Sequence, residues 1–171
     1  MSEDGTRLTG GCGCGALRFE VAASPIFVNN CHCSRCQHQT GSTSVVNAFF
    51  ETSAFTLLCG HTTRHVVKSG SGGDHVIVRC ADCGSAVWSH YSRVGSFGLG
   101  VRVGTLDDPG AVRPDAVVFA AEKMPWVALP EGIPAFAAYY NPAELLPPER
   151  FARLLALVEM KKAADAEGAA P

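Results

Sequence analysis

Seven cysteines fall into three tight clusters, Cys12-Gly13-Cys14, Cys31-His32-Cys33-Ser34-Arg35-Cys36 and Cys80-Ala81-Asp82-Cys83, and their spacing restricts the fold more than any other feature of the chain. Partners one or two residues apart close loops too tight for easy disulfide geometry, yet they sit at the spacings that metal sites use. A redox role for the Cys80/Cys83 pair would need a βαβ background that the surrounding sequence lacks. The arithmetic is one closed set of four sulfurs and one open set of three. Cys12, Cys14, Cys80 and Cys83 make a four-thiolate structural zinc site that staples the first strand to a late hairpin, and closing so long a loop stabilises the fold. Cys31, Cys33 and Cys36 are one ligand short of a tetrahedral cage. Zinc held by three protein ligands keeps a position open for water or substrate, so these three cysteines are the expected catalytic centre and two zinc ions per chain are expected.

The fourth ligand of the open site is unassigned; water, an exogenous thiolate, His32, His38, His61, His65, His75, His90 and Cys59 are the candidates. Cys59 follows two leucines and reads as a buried apolar filler. Taken one at a time, the histidines read as surface or hydrogen-bonded residues, with His38, nearest to the cluster, the candidate for proton transfer. Arg35 and Arg79 each flank a ligand cysteine, where a positive charge favours the thiolate. Arg35 is also the candidate for holding a substrate carboxylate, beside its simpler reading as a solvated charge.

Residues 1–9 read as a frayed lead-in, 10–142 as a zinc-binding β domain, 143–162 as a C-terminal helical region and 163–171 as a disordered tail. Cys12 and Cys14 are expected in an extended segment, followed by a half-buried strand in which Leu17, Phe19 and Val21 alternate with Arg18 and Glu20. Ile26-Phe27-Val28 leads into the three-cysteine stretch, expected as a loop. Strands are expected over 42–50, 55–58, 64–68, 75–79, 86–88 and 96–103, with 116–121 as a last central strand. Glycine after Cys83 suits a left-handed turn. Short, closely spaced strands favour an all-β sandwich or open barrel. After Pro147-Pro148 the apolar period changes to that of a helix over 149–162, carrying Phe151, Leu154, Leu155 and Val158. That stripe packs on its own domain or, in the alternative, forms a homodimer contact.

With 171 residues, 47% of them hydrophobic and 18% charged, one soluble globular core is expected. A net charge of −2 without basic runs argues against nucleic acid as a partner. The acidic start lacks the apolar core of a signal peptide and no apolar run approaches the roughly 20 residues of a membrane span, so the chain reads as cytosolic.

Several ordered segments together resemble a known family: Gly10–Phe19, Cys31–Gln37 with Thr40-Gly41-Ser42, Arg79–Ser85, Gly104–Pro109, and Lys123–Trp126 with Gly132–Pro134. The sequence resembles the glutathione-dependent formaldehyde-activating, or S-(hydroxymethyl)glutathione synthase-like, enzymes. The resemblance implies a mainly β, Mss4-like tent of short antiparallel strands with zinc sites and the same division of ligands. It also implies a zinc-dependent carbon–sulfur lyase or synthase, which joins a small thiol such as glutathione to an aldehyde. Trp126 fits the family pattern and is a candidate substrate-binding residue. Two positions depart from it, Val117 where members often carry histidine and Val78-Arg79 where a phenylalanine often precedes the Cys80 pair. The rival reading, from another class, is a non-catalytic zinc-stabilised binding or scaffold module.

Overall fold

The computed structural model describes residues 7–70 and 72–168, and these form two β-sheets with helices at the C-terminus. Strands β1 (Leu8–Gly11), β2 (Arg18–Val21) and β5 (Phe55–Cys59) make a three-stranded antiparallel sheet in the order β1-β2-β5. The larger sheet holds β3 (Phe27–Cys31), β4 (Val45–Glu51), β6 (Thr62–Lys68), β7 (Asp74–Cys80), β8 (Ala86–Tyr91), β9 (Gly98–Arg102) and β10 (Ala116–Val118). Its order is β10-β3-β4-β9-β8-β7-β6, antiparallel except where β10 runs parallel to β3. The mainly β architecture expected from short alternating strands is therefore present.

Side chains alternate across a strand, so the seven-stranded sheet has two faces with different tasks. Val28, Ala48, Phe50, Leu99 and Val101 point to one face, where they pack with Leu17, Phe19 and Val21 of the smaller sheet into the main core. The opposite face carries Phe27, Asn29 and Cys31 on β3, paired in register with Phe49, Asn47 and Val45 on β4. Next to them on β9 lie Gly100 and Arg102, opposite Phe49 and Asn47. Gly100 leaves the space in which the Phe49 ring lies, since a Cβ there would come 3.0 Å from that ring.

Helix α3 (Pro148–Gly168) closes the far end of this second face. Leu154 and Leu157 are buried there with Ile26, Phe27, Val94 and Leu146, a gain of roughly 1.5–3 kcal/mol per fully buried leucine. Two arginines fix the helix in place. Arg150 donates to both carboxylate oxygens of Asp115, at 2.9 and 2.5 Å, and to the Ile26 carbonyl, and Arg153 forks onto Glu51 at 2.7 and 2.6 Å.

Several expectations are corrected. Leu8 and Thr9 belong to β1, so the ordered domain begins before residue 10; residues 1–6 lie outside the described residues. Cys12 and Cys14 sit in the turn between β1 and β2, not in an extended segment. The three-cysteine stretch is no loop, because Cys31 ends β3 and Cys33 caps helix α1 (Ser34–Thr40), its sulfur accepting from the Cys36 amide at 3.4 Å. The segment 116–121 supplies a three-residue edge strand rather than a central one; Phe119, in the left-handed region at φ 55°, ends it. The 96–103 strand starts only at Gly98, after a short 3-10 turn. Beyond the four-residue helix α2 (Pro142–Leu145), α3 runs on through Gly168, so 163–168 are helical where a tail was expected; 169–171 lie outside the described residues. Within α3, Phe151, Leu154 and Val158 pack inward as expected, but Leu157 is buried in place of Leu155, which is 41% exposed. Cys59 is exposed because it lies on β5, whose last residues face outward.

Arg150→Ala removes charge-assisted hydrogen bonds that are less than one-third exposed, so thermal or urea unfolding should show a loss of about 1.5–3 kcal/mol. An unchanged unfolding midpoint would show that α3 is held by its apolar face alone.

Candidate functional site

The two expected cysteine sets assemble as the spacing required. The sulfurs of Cys12, Cys14, Cys80 and Cys83 all lie within 4.8 Å of one another, as do those of Cys31, Cys33 and Cys36. Among the described residues, no histidine or carboxylate atom joins either set. Both clusters could hold a metal ion.

In the first set, one turn comes from the β1–β2 hairpin and the other from the β7–β8 hairpin. Gly84 follows Cys83 at φ 73°, the left-handed conformation expected of it, and its carbonyl accepts from Arg79 at 2.9 Å. Ser85 ties the turns together: its hydroxyl accepts from the Gly13 amide at 3.2 Å and lies 3.2 Å from the Cys83 sulfur. The Leu17 amide donates to Cys12 Sγ at 3.2 Å. Side-chain and backbone hydrogen bonds from Ser85 lower the Cys83 thiol to about 5. Cys14 and Cys83 are exposed at the protein surface.

The second set is of another kind. Cys31, Cys33 and Cys36 are only 8%, 4% and 7% exposed and bring their sulfurs together on the second face of the large sheet. Hydrogen bonds from the Cys31 and Cys36 thiols drive Cys33 down to about 2, while Cys31 is pushed up, chiefly because its neighbour Cys33 holds the charge. Three buried thiols without a cation thus share one negative charge; a bound soft divalent ion is what allows all three to ionise. The donor set fits zinc, which favours thiolate sulfur.

The cluster stands at one end of a cavity of about 290 Å³ on the second sheet face. Glu122 helps to set α1 at this end, its carboxylate accepting from the Ser34 amide at 2.7 Å, while the Gln37 side chain donates to the carbonyls of His32 and Glu122. The β6–β7 loop lies over the site: a Cβ on Gly70 would stand 3.5 Å from Cys33 Sγ and 3.6 Å from the Phe119 ring. Phe119 holds a backbone conformation that is rare for a bulky residue and costs on the order of 1–3 kcal/mol, and the same residue lines the cavity.

Arg35 also lines the cavity; it is exposed and donates to the Lys68 carbonyl at 2.9 Å, at the foot of the covering loop. Arg93, exposed as well, lines it too. The other two substrate-binding candidates are elsewhere. His38 is exposed and Trp126 is 76% exposed, and neither is among the lining residues.

Three other residues stand close to the cluster, of which the sequence singled out only His75, as one of several candidate fourth ligands; it does not join the sulfur set. His75, 2% exposed, lines the cavity, with Gln39 on α1 next to it at 3.3 Å from Nδ1. Burial, then the charge of Arg102, hold His75 down at about 4, so its ring is neutral at pH 7. Arg102, 5% exposed, donates to Asn47 Oδ1 at 2.7 Å and to Gln39 Oε1 at 3.0 Å. The sequence signal for His75 and Arg102 is polarity at strand positions that alternation assigns to a buried face, and Gln39, on α1, carries none.

Among the described residues, no helix is long and apolar enough to cross a membrane. A crystal structure of a Rhodobacter sphaeroides protein is similar to this chain at 23% identity, covering 62% of this chain and 91% of that one, with a TM-score of 0.45. The family model for the glutathione-dependent formaldehyde-activating enzyme matches residues 7–122, well over half of the chain, and the protein belongs to that family.

Proposed function

We propose that this protein is a zinc-dependent carbon–sulfur lyase or synthase that interconverts a small thiol plus an aldehyde with their hemithioacetal, glutathione and formaldehyde being the pair that the family's description names. The observation that carries this reading is the placement of the three-sulfur set: buried, one ligand short of a closed cage, and at the end of a cavity. Cys31, Cys33 and Cys36 would hold the zinc, which would supply Lewis acidity that favours the thiolate form of a thiol near neutral pH.

The rest is done by the chain. The sheet face and α1 fix the three cysteines, Gly70 and Phe119 pack over the sulfurs and limit the access of bulk water, and the low-dielectric surroundings strengthen every charge contact made there. Arg35 and Arg93 supply positive charge at the exposed rim, which suits the carboxylates of a glutathione-like thiol. Holding thiol and aldehyde in contact replaces a chance encounter with an intramolecular one, and that is where a catalyst gains on an addition that already proceeds in water. The four-cysteine set has the opposite design: its ligand count is closed, it lies away from the cavity, and it joins two hairpins. The rival reading as a non-catalytic zinc-stabilised scaffold accounts for that set but not for a cavity built over the other.

Metal analysis should find two zinc ions per fully loaded chain, with a moderate chelator removing one and abolishing thiol-dependent turnover while far-UV circular dichroism stays native. A single zinc ion in saturated protein would sink the open-site mechanism. Cys33→Ser should remain folded and lose turnover by at least on the order of 100-fold, since disturbing even the partners of metal ligands costs 10–100-fold. Cys80→Ser should instead lower the unfolding midpoint and the soluble yield, because it opens the closed site. Turnover that survives Cys33→Ser would refute the assignment.

A further inference from the structure

Arg102, Gln39 and His75 form a chain of hydrogen bonds with only one consistent direction. A guanidinium can only donate, so the Gln39 atom facing Arg102 at 3.0 Å is its oxygen. The Gln39 NH2 group is therefore turned toward His75 Nδ1, 3.3 Å away. Nδ1 accepts, and the single proton of the neutral ring sits on Nε2. That Nε2–H is buried, has no hydrogen-bond partner among the described residues, and belongs to a ring that lines the same cavity as the three cysteines. Leaving a buried donor unmade is costly, so a donor oriented by two supporting residues beside a cavity is suited to a ligand oxygen.

A row of rings runs from this donor along the cavity. His75 stacks on Tyr91 with centroids 4.3 Å apart, Tyr91 meets Phe49 at 5.5 Å, and Phe49 stacks on Phe27 at 4.2 Å. The row ends among Ile26, Val94, Leu154 and Leu157 beneath α3. From Cys31 to Phe27 is four residues of one strand, about 13 Å. The polar groups along this floor are already engaged: the Asn29 amide donates to the Tyr139 hydroxyl at 2.8 Å and accepts from the Tyr140 hydroxyl at 3.0 Å, and the Asn47 oxygen is held by Arg102. Formaldehyde would fill one end of this space, and glutathione, charged at both ends, mismatches its apolar length.

Resting on the carbon–sulfur chemistry assigned to the three-cysteine site, we propose that the electrophile is an aldehyde with an apolar body, its carbonyl oxygen held by His75 Nε2–H and its hydrocarbon lying over Phe49 and Phe27 toward Leu157. The sulfur lone pair forms the carbon–sulfur bond, the carbonyl π pair moves onto oxygen, and the proton lost by the thiol returns to that oxygen, so thiol plus aldehyde equals hemithioacetal. His75 stabilises the oxygen as negative charge develops on it, and Gln39 and Arg102 are positioning residues that hold its tautomer.

The test uses the zinc-loaded full chain. Two-bond ¹H–¹⁵N correlation spectra should show His75, identified by its loss in His75→Phe, as the Nε2–H tautomer, with Gln39→Leu weakening that preference. Adding 1-octanol, an unreactive probe, should shift the Nε2–H resonance. In turnover with glutathione, octanal should exceed formaldehyde in kcat/KM by at least tenfold, and His75→Phe should cut that value about 100-fold at unchanged zinc content. Val94→Phe should move the preferred aldehyde to shorter chains and Leu157→Ala to longer ones, with circular dichroism confirming the fold of each. Formaldehyde turnover without octanol binding or octanal turnover would overturn the apolar-aldehyde assignment and leave the proposed function standing. An Nδ1–H tautomer would overturn the role of His75. A shift with octanol but no turnover of any aldehyde would overturn the carbon–sulfur reading, and the electrophile with it.

Discussion

Thiolates repel one another and are not gathered as such without a cation, and this fold brings seven cysteine sulfurs into two clusters that could hold one each. Cys14 and Cys80 are 66 residues apart in sequence, yet their sulfurs stand 4.0 Å apart. The hairpins that carry them belong to different sheets, so a metal ion at the four-sulfur set would be the joint between the small sheet and the large one. With such an ion bound, the hydrophobic core between those sheets would form around a fixed hinge, and metal–sulfur bonding would offset the entropy of closing that long loop.

With the sheets joined, one face of the larger is committed to the core and the other is released for chemistry. Alternation along β3 makes this separation sharp: Val28 enters the core while Asn29 and Cys31 point the other way. A polar or metal-binding residue on the second face therefore costs the core nothing. The helix α3 closes that face at its far end and turns an open sheet surface into a cavity, so the Arg150–Asp115 and Arg153–Glu51 pairs act on the site without touching the cysteines.

The ligand sets, the strand series and the C-terminal helix could be read from the sequence because each depends on local spacing: two or three residues between ligands, a period of two in strands, 3.6 in the helix. What could not be read depends on which distant strands become neighbours. His75 looks like any polar residue opening a strand, and its importance comes from pairing with Tyr91 and from the approach of Gln39 on α1. The left-handed Phe119 follows an ordinary apolar strand pattern, with no glycine or asparagine to mark it. Cys59 was misjudged for a related reason: two preceding leucines suggest burial, but β5 is an edge strand of the small sheet, and Leu57 and Leu58 are themselves 40% and 51% exposed.

Arg102 shows how the site's charge is balanced. A guanidinium stays ionised in a protein, and burying one among neutral partners is expensive unless a negative charge is near. Its side-chain hydrogen bonds go to the amides of Asn47 and Gln39, and among the described residues it has no carboxylate partner. The nearby negative charge is the thiolate set: Arg102 acts on Cys36 in the direction of ionisation and on His75 against protonation. Three thiolates around a divalent cation would carry one net negative charge, which a single buried arginine would offset. The same arginine thus favours ionisation of Cys36, adds to the effect of burial in opposing protonation of His75, and fixes the direction of the hydrogen bonds through Gln39.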